Sequence, residues 1–320
     1  MSEKYLPLAA TILVFAILFA VGGILYNNFF TTLVLGDILA DNAFIIIAAT
    51  GATFVILSGG IDLSVGSMIG FVGVVMANVD VVGWHPLASG AMMLAFGAGF
   101  GALQGFLIDF CEIQPFIITL AGLFLLRGAC FMINLNSVPL RHPFVAEFAG
   151  ASLPLPGEGF LASSAIVMLV GLAAAIVIAH WTEFGADVYA IGGDRASAAL
   201  MGVRMRSTTV KIYALCGTYS ALGGIVYALY TASGYPLAGS GSELQAIAAV
   251  VLGGTLLTGG VGFVAGTLFG GMILGLIATL INFNGSLNGA WIMISGGILL
   301  FLFIVMQRFL VGSLRLRSVG

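Results

Sequence analysis

Charge is what this sequence has least of. Only 7% of its 320 residues are Asp, Glu, Lys or Arg, against about a quarter in an ordinary soluble domain. So few charges cannot cover a water-exposed surface, which excludes a soluble globular protein. Lysine is scarcer still: Lys4 and Lys211 are the only two, and neither sits in a G-x-x-x-x-G-K-[ST] context. Without that phosphate-cradling loop the chain cannot bind and hydrolyse ATP by the P-loop mechanism. Cys111, Cys130 and Cys216 are an odd, scattered set, suited to neither a disulfide framework nor a metal site; they read as small packing residues. His85, His142 and His180 lie far apart, and no H-E-x-x-H pair is present. That leaves a membrane protease or transferase without a catalytic constellation. Acids deep within apolar runs are nearly missing too. Asp37, Asp41, Asp62, Asp80, Asp109, Glu112, Glu183, Asp187 and Glu243 fall at run ends or in short loops. Ion-coupled carriers often keep carboxylates deep in the membrane, so their scarcity argues against self-powered coupling.

What the sequence has instead is apolar length. Hydrophobic residues make up 60% of the chain and the mean hydropathy is +1.17. The apolar runs are about 20 residues long, enough to cross the hydrocarbon core of a bilayer. Ten such runs fall near 7–26, 39–58, 64–80, 87–108, 116–135, 161–180, 211–231, 244–258, 263–282 and 291–309. The eighth is short and could be re-entrant. The first has no basic stretch or cleavage site of a signal peptide before it, and reads as a retained span. Lys4, the cluster Arg195, Arg204, Arg206 and Lys211, and the C-terminal Arg308, Arg315 and Arg317 hold most of the positive charge. Positive charge accumulates on the cytoplasmic side. The expectation is therefore an all-α polytopic membrane protein of about ten transmembrane helices, both termini cytoplasmic. It is a single transmembrane domain over 1–320. Segments 27–38, 81–86, 136–160, 232–243 and 283–290 are then outside, and 59–63, 109–115, 181–210 and 259–262 inside. Gly is 46 of 320 residues, which suits closely packed or broken membrane helices.

Two short segments resemble each other: ILSGGIDLSVGS (56–67) and VLGGTLLTGGVG (251–262). Each has a Gly pair after an apolar helix, a short hydroxyl-containing turn, and a Gly opening the next helix. An internal duplication of the kind common in transporters would produce this. Within the runs, Arg127 stands alone as a central cation, in QPFIITLAGLFLLRG (114–128). Such an Arg costs about 2.5–3.5 kcal/mol on insertion scales. It either snorkels to the outer headgroups, meets a partner inside the bundle, or lines a polar path. Asp62 either caps a helix beginning near Leu63 or serves gating or substrate. Neutral polar residues within spans include Asn42, Thr50, Thr53, Ser58, Thr119, Asn134, Thr218, Ser220, Thr279 and Asn282, with Phe44, Phe54 and Phe116 nearby. Interhelical hydrogen bonding accounts for most such residues. As a set they suit an uncharged, hydroxyl-rich solute better than an ion. The substrate-path candidates are Asn42, Phe54, Ser58, Asp62, Thr119, Arg127 and Asn134.

The inside loop of about 181–210 contains HWTEFGADVYAIGGDRASAALMGVRMRSTTVK (180–211). Asp194 or Ser197 can cap a short helix through Met201, which Gly202 ends. A protein without its own energy source needs such a cytoplasmic surface to receive work from a partner.

Taken with LADNAFIIIAATGATFVILSGGIDLSVGS (39–67), QPFIITLAGLFLLRG, YAIGGDRASAALMGV (189–203) and VVLGGTLLTGGVGFVAGTLFG (250–270), the chain resembles the ribose/xylose-type permease family of bacterial ABC importers over nearly its whole length. The ADNAF start and INFNG (281–285) look most like a galactofuranose importer's permease. The resemblance implies a multi-pass chain of the bacterial inner membrane, surrounded by lipid. It implies a cytoplasmic ABC ATPase that binds ATP and Mg, a second permease subunit (the same chain or another), and a periplasmic sugar-binding protein. No cofactor bound by this chain and no nucleic acid are expected. It also makes 192–203 the coupling helix seated on the ATPase, with Gly192, Gly193, Asp194, Arg195, Ala198, Met201, Gly202 and Arg204 as the coupling residues. Where the family often has Asn, this chain has Asp194, and either can cap. The competing reading is a self-sufficient carrier or channel for a small polar solute.

Overall fold

The computed structural model describes residues 6–285 and 289–317. Lys4 lies outside the described residues. The elements in chain order are α1 (Leu6–Leu25), α2 (Thr32–Asp41), α3 (Ala43–Leu57), α4 (Val65–Val81), α5 (Pro86–Phe110), α6 (Pro115–Ile133), β1 (Val138–Pro139), α7 (Pro143–Gly150), β2 (Ser152–Pro154), β3 (Phe160–Ala162), α8 (Ser163–Trp181), α9 (Glu183–Gly193), α10 (Arg195–Leu200), α11 (Met205–Thr231), β4 (Ser233–Gly234), α12 (Ser242–Leu252), α13 (Val264–Asn284) and α14 (Ala290–Arg317). The protein is an all-α membrane protein with two small two-stranded ribbons, β1 with β4 and β2 with β3. Among the described residues, six helices (α1, α5, α6, α8, α11 and α13) are long and apolar enough to cross a membrane, and α2 with α3, bent by 59°, is a seventh candidate.

Helix starts follow local chemistry. His85 and His142 each precede a proline, and the ring Nδ1 accepts the N–H of Leu87 and of Phe144. Proline then fills the first helical position of α5 and α7, where its missing N–H is no loss. At the centre, α11 packs along α5, α3 and α4. Side chains at Gly97, Gly101 or Gly105 of α5 would collide with α11 backbone, so glycine sets that close approach.

The connections gather at two ends. At one end, the Gly260 N–H donates to the Leu57 carbonyl at 2.8 Å. Tyr189 donates to the Gly262 carbonyl at 2.9 Å, and Arg195 pairs with Asp109. At the other end, β1 pairs with β4, the Arg141 N–H donates to Asp80 at 2.7 Å, and Thr32 donates to the Pro156 carbonyl at 2.8 Å. Segments 59–63, 109–115, 181–210 and 259–262 thus share one end. Segments 27–38, 81–86 and 136–160 share the other, which is the grouping the charge pattern requires. The 136–160 segment carries β1, α7, β2 and the first residue of β3, a small cap over that end.

One connection departs from the sequence reading. Segment 232–243 is not simply an outside loop. Gly234 lies against Gly73 and Ala77, Ala238 against Gly70, and Gly239 against Gly66. The chain therefore descends along α4 without forming a helix. The 11 residues of α12 then cover about 16 Å at 1.5 Å per residue, roughly half a bilayer core. Together the descent and α12 cover the distance that a single eighth helix would.

Candidate functional site

Three features of this architecture carry chemistry. The first is a platform where α9 meets both repeat-like turns. Gly192 lies so close to the Leu57 carbonyl and to Gly260 that a Cβ there would overlap the Leu57 oxygen. The two turns that resemble each other in sequence therefore touch each other, and α9 rests on both. Thr182 starts α9 by accepting the Gly185 N–H at 3.1 Å. Asp194 starts α10 by accepting the Ser197 N–H at 2.7 Å. The Ser197 hydroxyl and N–H together hold the Asp194 carboxyl below the usual carboxylate range. Gly202 sits at φ +88°, a left-handed conformation that costs glycine little, and ends the short helix after Met201. Gly193 closes α9 with open space where a Cβ would stand. Ala198 is fully buried and faces inward, while Leu200 is 90% and Met201 70% exposed. The outward face of α10 is thus Leu200 and Met201, and Ala198 supports it from behind. Arg195 is held by Asp109; Arg204 is exposed at the start of α11.

The second feature is a buried polar cluster at the turn between α3 and α4. The helix begins at Val65, not near Leu63. Asp62 does not cap that helix: one carboxylate oxygen accepts the Ser64 N–H at 2.8 Å and the Ser64 hydroxyl at 2.7 Å. Gln104 of α5 donates to the Ser64 hydroxyl at 3.1 Å. The Cys216 thiol of α11 lies beside Asp62. Tyr213 and Thr119 both reach the Ile61 carbonyl, at 3.5 and 3.4 Å. Asp62 is only 4% exposed and pairs with no cation among the described residues. A carboxylate in that setting is costly unless it is hydrogen-bonded, and these neutral donors hold it.

The third feature is Arg127. It does not snorkel: its guanidinium donates to the carbonyls of Pro236 at 2.5 Å and Ala238 at 2.8 Å. Non-helical backbone at membrane depth is tolerated only where protein or water satisfies it, and Arg127 supplies that satisfaction to the descending segment. Glu243, in the first turn of α12, is near enough for its charge to act on Arg127. One Glu243 oxygen accepts the Gly241 N–H at 3.2 Å; the other is buried without a hydrogen-bond partner.

The remaining path candidates make local packing and hydrogen-bond contacts. Phe54 is fully buried and stacks on Phe184 of α9, so it packs the platform. Asn42 sits at the bend between α2 and α3, donates to the Ile38 carbonyl at 2.8 Å and lies against Gly275. Ser58 closes α3 by donating to the Val55 carbonyl at 2.8 Å. Asn134 ends α6 and accepts the Asn136 N–H at 3.0 Å. Thr50, Thr53, Thr119, Thr218, Ser220 and Thr279 each donate to the carbonyl four residues earlier in the chain. That pattern is local satisfaction and weakens the reading of these hydroxyls as sugar contacts. Sequence reasoning missed Gln104, Tyr213, Cys216 and Glu243. The signal for the first three was Asp62, a lone acid in a Gly-flanked helix break that has to find donors nearby; for Glu243 it was Arg127, a lone cation within a span.

Comparison with known proteins agrees with this architecture. The family model described as "Branched-chain amino acid transport system / permease component" matches residues 34–304. The Inner membrane ABC transporter permease protein YjfF of Escherichia coli (strain K12) is 50% identical over 309 residues, covering 96% of this chain and 93% of that protein. The Ribose import permease protein RbsC of the same strain is 37% identical over 289 residues, covering 89% of this chain and 88% of its own length. The Fructose import permease protein FruG of Bifidobacterium longum (strain NCC 2705) is 32% identical over 314 residues, 96% of this chain and 92% of that one. No solved structure matches.

Proposed function

Because the chain belongs to this family of ABC-transporter permease subunits, with ribose-type sugar permeases among its relatives, we propose that it forms the translocation path of an ATP-driven monosaccharide importer in a bacterial inner membrane. ATP and Mg are bound by a separate cytoplasmic ATPase. A periplasmic binding protein delivers the sugar, and a second permease subunit, a copy or a homologue, completes the path. The sugar we assign is galactofuranose, on the ADNAF and INFNG segments. The chain crosses ten times with both termini in the cytoplasm, the end bearing 181–210 facing inward because it carries the arginines. The ATPase docks on 192–203. Asp62 and Arg127 are the path residues we retain.

The observation that carries this reading is the seating of α9 on Leu57 and Gly260. A surface helix pair with an exposed Leu200–Met201 tip rests on two turns that lead into the bundle, which is the mechanical form of a coupling element. The test uses cysteines at Leu200, Met201 and Ala198 in a Cys111→Ser background, since Cys111 is exposed and Cys130 and Cys216 are buried. Leu200→Cys and Met201→Cys should crosslink to the co-purifying ATPase subunit, and Ala198→Cys should not. Labelling of the first two by an impermeant thiol reagent added outside intact cells would invert the topology and sink the assignment.

A further inference from the structure

The basic end of the protein also holds a groove beside the coupling segment, sharing only Arg204 with it. Between the last turns of α5 and the first turns of α11 lies a groove of about 780 Å3. Its floor is Phe106, Phe110 and Val210, and its rim is Arg204, Arg206 and Lys211. Phe106 and Phe110 are each 45% exposed, and their rings stack with centroids 4.6 Å apart. The Arg206 guanidinium lies over the Phe110 ring, 5.1 Å from its centre. All three rim cations are exposed. None has an ion-pair partner among the described residues, in contrast to Arg195 with Asp109. Of the acids at this end, Asp109 is engaged by Arg195 and Thr209, and Asp187 by Thr208. Both helices belong to the membrane-crossing set, so the groove opens where hydrocarbon gives way to headgroups.

We propose that this groove is a binding site for an anionic phospholipid, its phosphate held by Arg204, Arg206 and Lys211 and its upper acyl carbons lying on Phe106 and Phe110. The charge is complementary, since three cations without counter-ions face the level of the lipid phosphates. On α5 the exposed Leu103, one turn before Phe106, continues the apolar floor. Basic pockets between membrane helices on the cytoplasmic side are known to take acidic headgroups. The proposal goes beyond the transport reading and does not need it, because it concerns the bilayer and not the ATPase.

The test is native mass spectrometry and lipid titration of the intact permease complex in micelles, with phosphatidylglycerol against phosphatidylcholine. Wild type should retain phosphatidylglycerol selectively. Each basic side chain near an acidic lipid contributes about a factor of five in affinity, so the double variant Arg206→Ser/Lys211→Ser should bind phosphatidylglycerol about twenty-five-fold more weakly. Its binding of phosphatidylcholine should not change. Arg206→Lys, which keeps the charge, should bind as wild type and controls for folding. Phe110→Ala should weaken both lipids alike. Equal retention of both lipids by wild type, or undiminished phosphatidylglycerol binding by the double variant, would overturn the proposal. So would full competition by inorganic phosphate, which would mark a free-anion site. If the double variant keeps its lipid and loses the ATPase subunit, the rim serves a protein contact instead.

Discussion

Arg127→Leu separates two effects that usually travel together. The arginine is expensive to insert, by about 2.5–3.5 kcal/mol at a helix centre. Leucine removes that cost. Against this stand the two carbonyls of Pro236 and Ala238, which the guanidinium satisfies at 2.5 and 2.8 Å. A hydrogen bond to a charged group contributes about 1.5–3 kcal/mol, and a buried carbonyl left unpaired costs about 1–3. Two of them therefore weigh roughly 3–6 kcal/mol, discounted because Arg127 is only half-buried. The two totals are of similar size. The variant should consequently insert and accumulate about as well as wild type. The loss should appear where the carbonyls are, in the non-helical descent along α4. Binding-protein-stimulated ATP hydrolysis by the reconstituted complex should fall at least tenfold. Amide exchange over 234–241 should rise while exchange in α6 stays put. Arg127→Lys, with one ammonium for two carbonyls, should fall between. Wild-type hydrolysis together with unchanged exchange over 234–241 in Arg127→Leu would refute the reasoning.

Two further outcomes follow from the platform. Gly192→Ala places a methyl on the Leu57 carbonyl oxygen; backbone cannot yield as a side chain can, so the cost should reach or exceed the about 1–3 kcal/mol usual for overpacking. It should uncouple ATP hydrolysis from sugar uptake, whereas Gly193→Ala, which meets open space, should leave coupling near wild type in the same assay. The Asp194 cap should be insensitive to pH down to mild acid. Its carboxyl is held low by the Ser197 hydroxyl and N–H, so the stabilisation is present above the unfolded carboxylate value and is lost only as pH falls through the lower folded one. Amide protection over 195–200, measured against the intrinsic exchange rate at each pH, should therefore fall only in acid, and Asp194→Asn should remove that pH step while keeping the cap.

Some of this was legible in the residues, and the reason some was not is physical. The runs 7–26, 87–108, 116–135, 161–180, 211–231 and 263–282 coincide closely with α1, α5, α6, α8, α11 and α13, because a long apolar stretch in a bilayer has no option but helix. The Asp194 cap and the Gly202 stop were equally visible, since both depend on neighbours three residues away or fewer. The break at Asn42 was not, because an apolar run says nothing of where its helix bends. The alternation of apolar runs and the charge pattern make 232–243 an outside loop. Its true place depends on Arg127, more than a hundred residues earlier, lending donors to its carbonyls. Asp62 was weighed as a cap on local grounds, whereas Cys216 beside it and Gln104, which donates to Ser64, come from distant helices that only the fold assembles.

The same long-range assembly explains why glycine recurs at the platform. A contact that transmits displacement works best without compliant parts, and a side chain with several rotatable bonds is compliant. At Leu57, Gly192 and Gly260 backbone meets backbone with no side chain between. A push on Leu200 and Met201 is carried by α10 and α9 to both turns at once. From Leu57 the chain leads within a few residues to Asp62 and its cluster at the base of α4. From Gly260 it leads back through α12 to Glu243, beside Arg127 and the carbonyls it holds. Both routes end on the glycine face of α4, where Gly66 and Gly70 touch the descending segment. An external force on one short helix pair would therefore reach both charged sites through contacts of backbone on backbone.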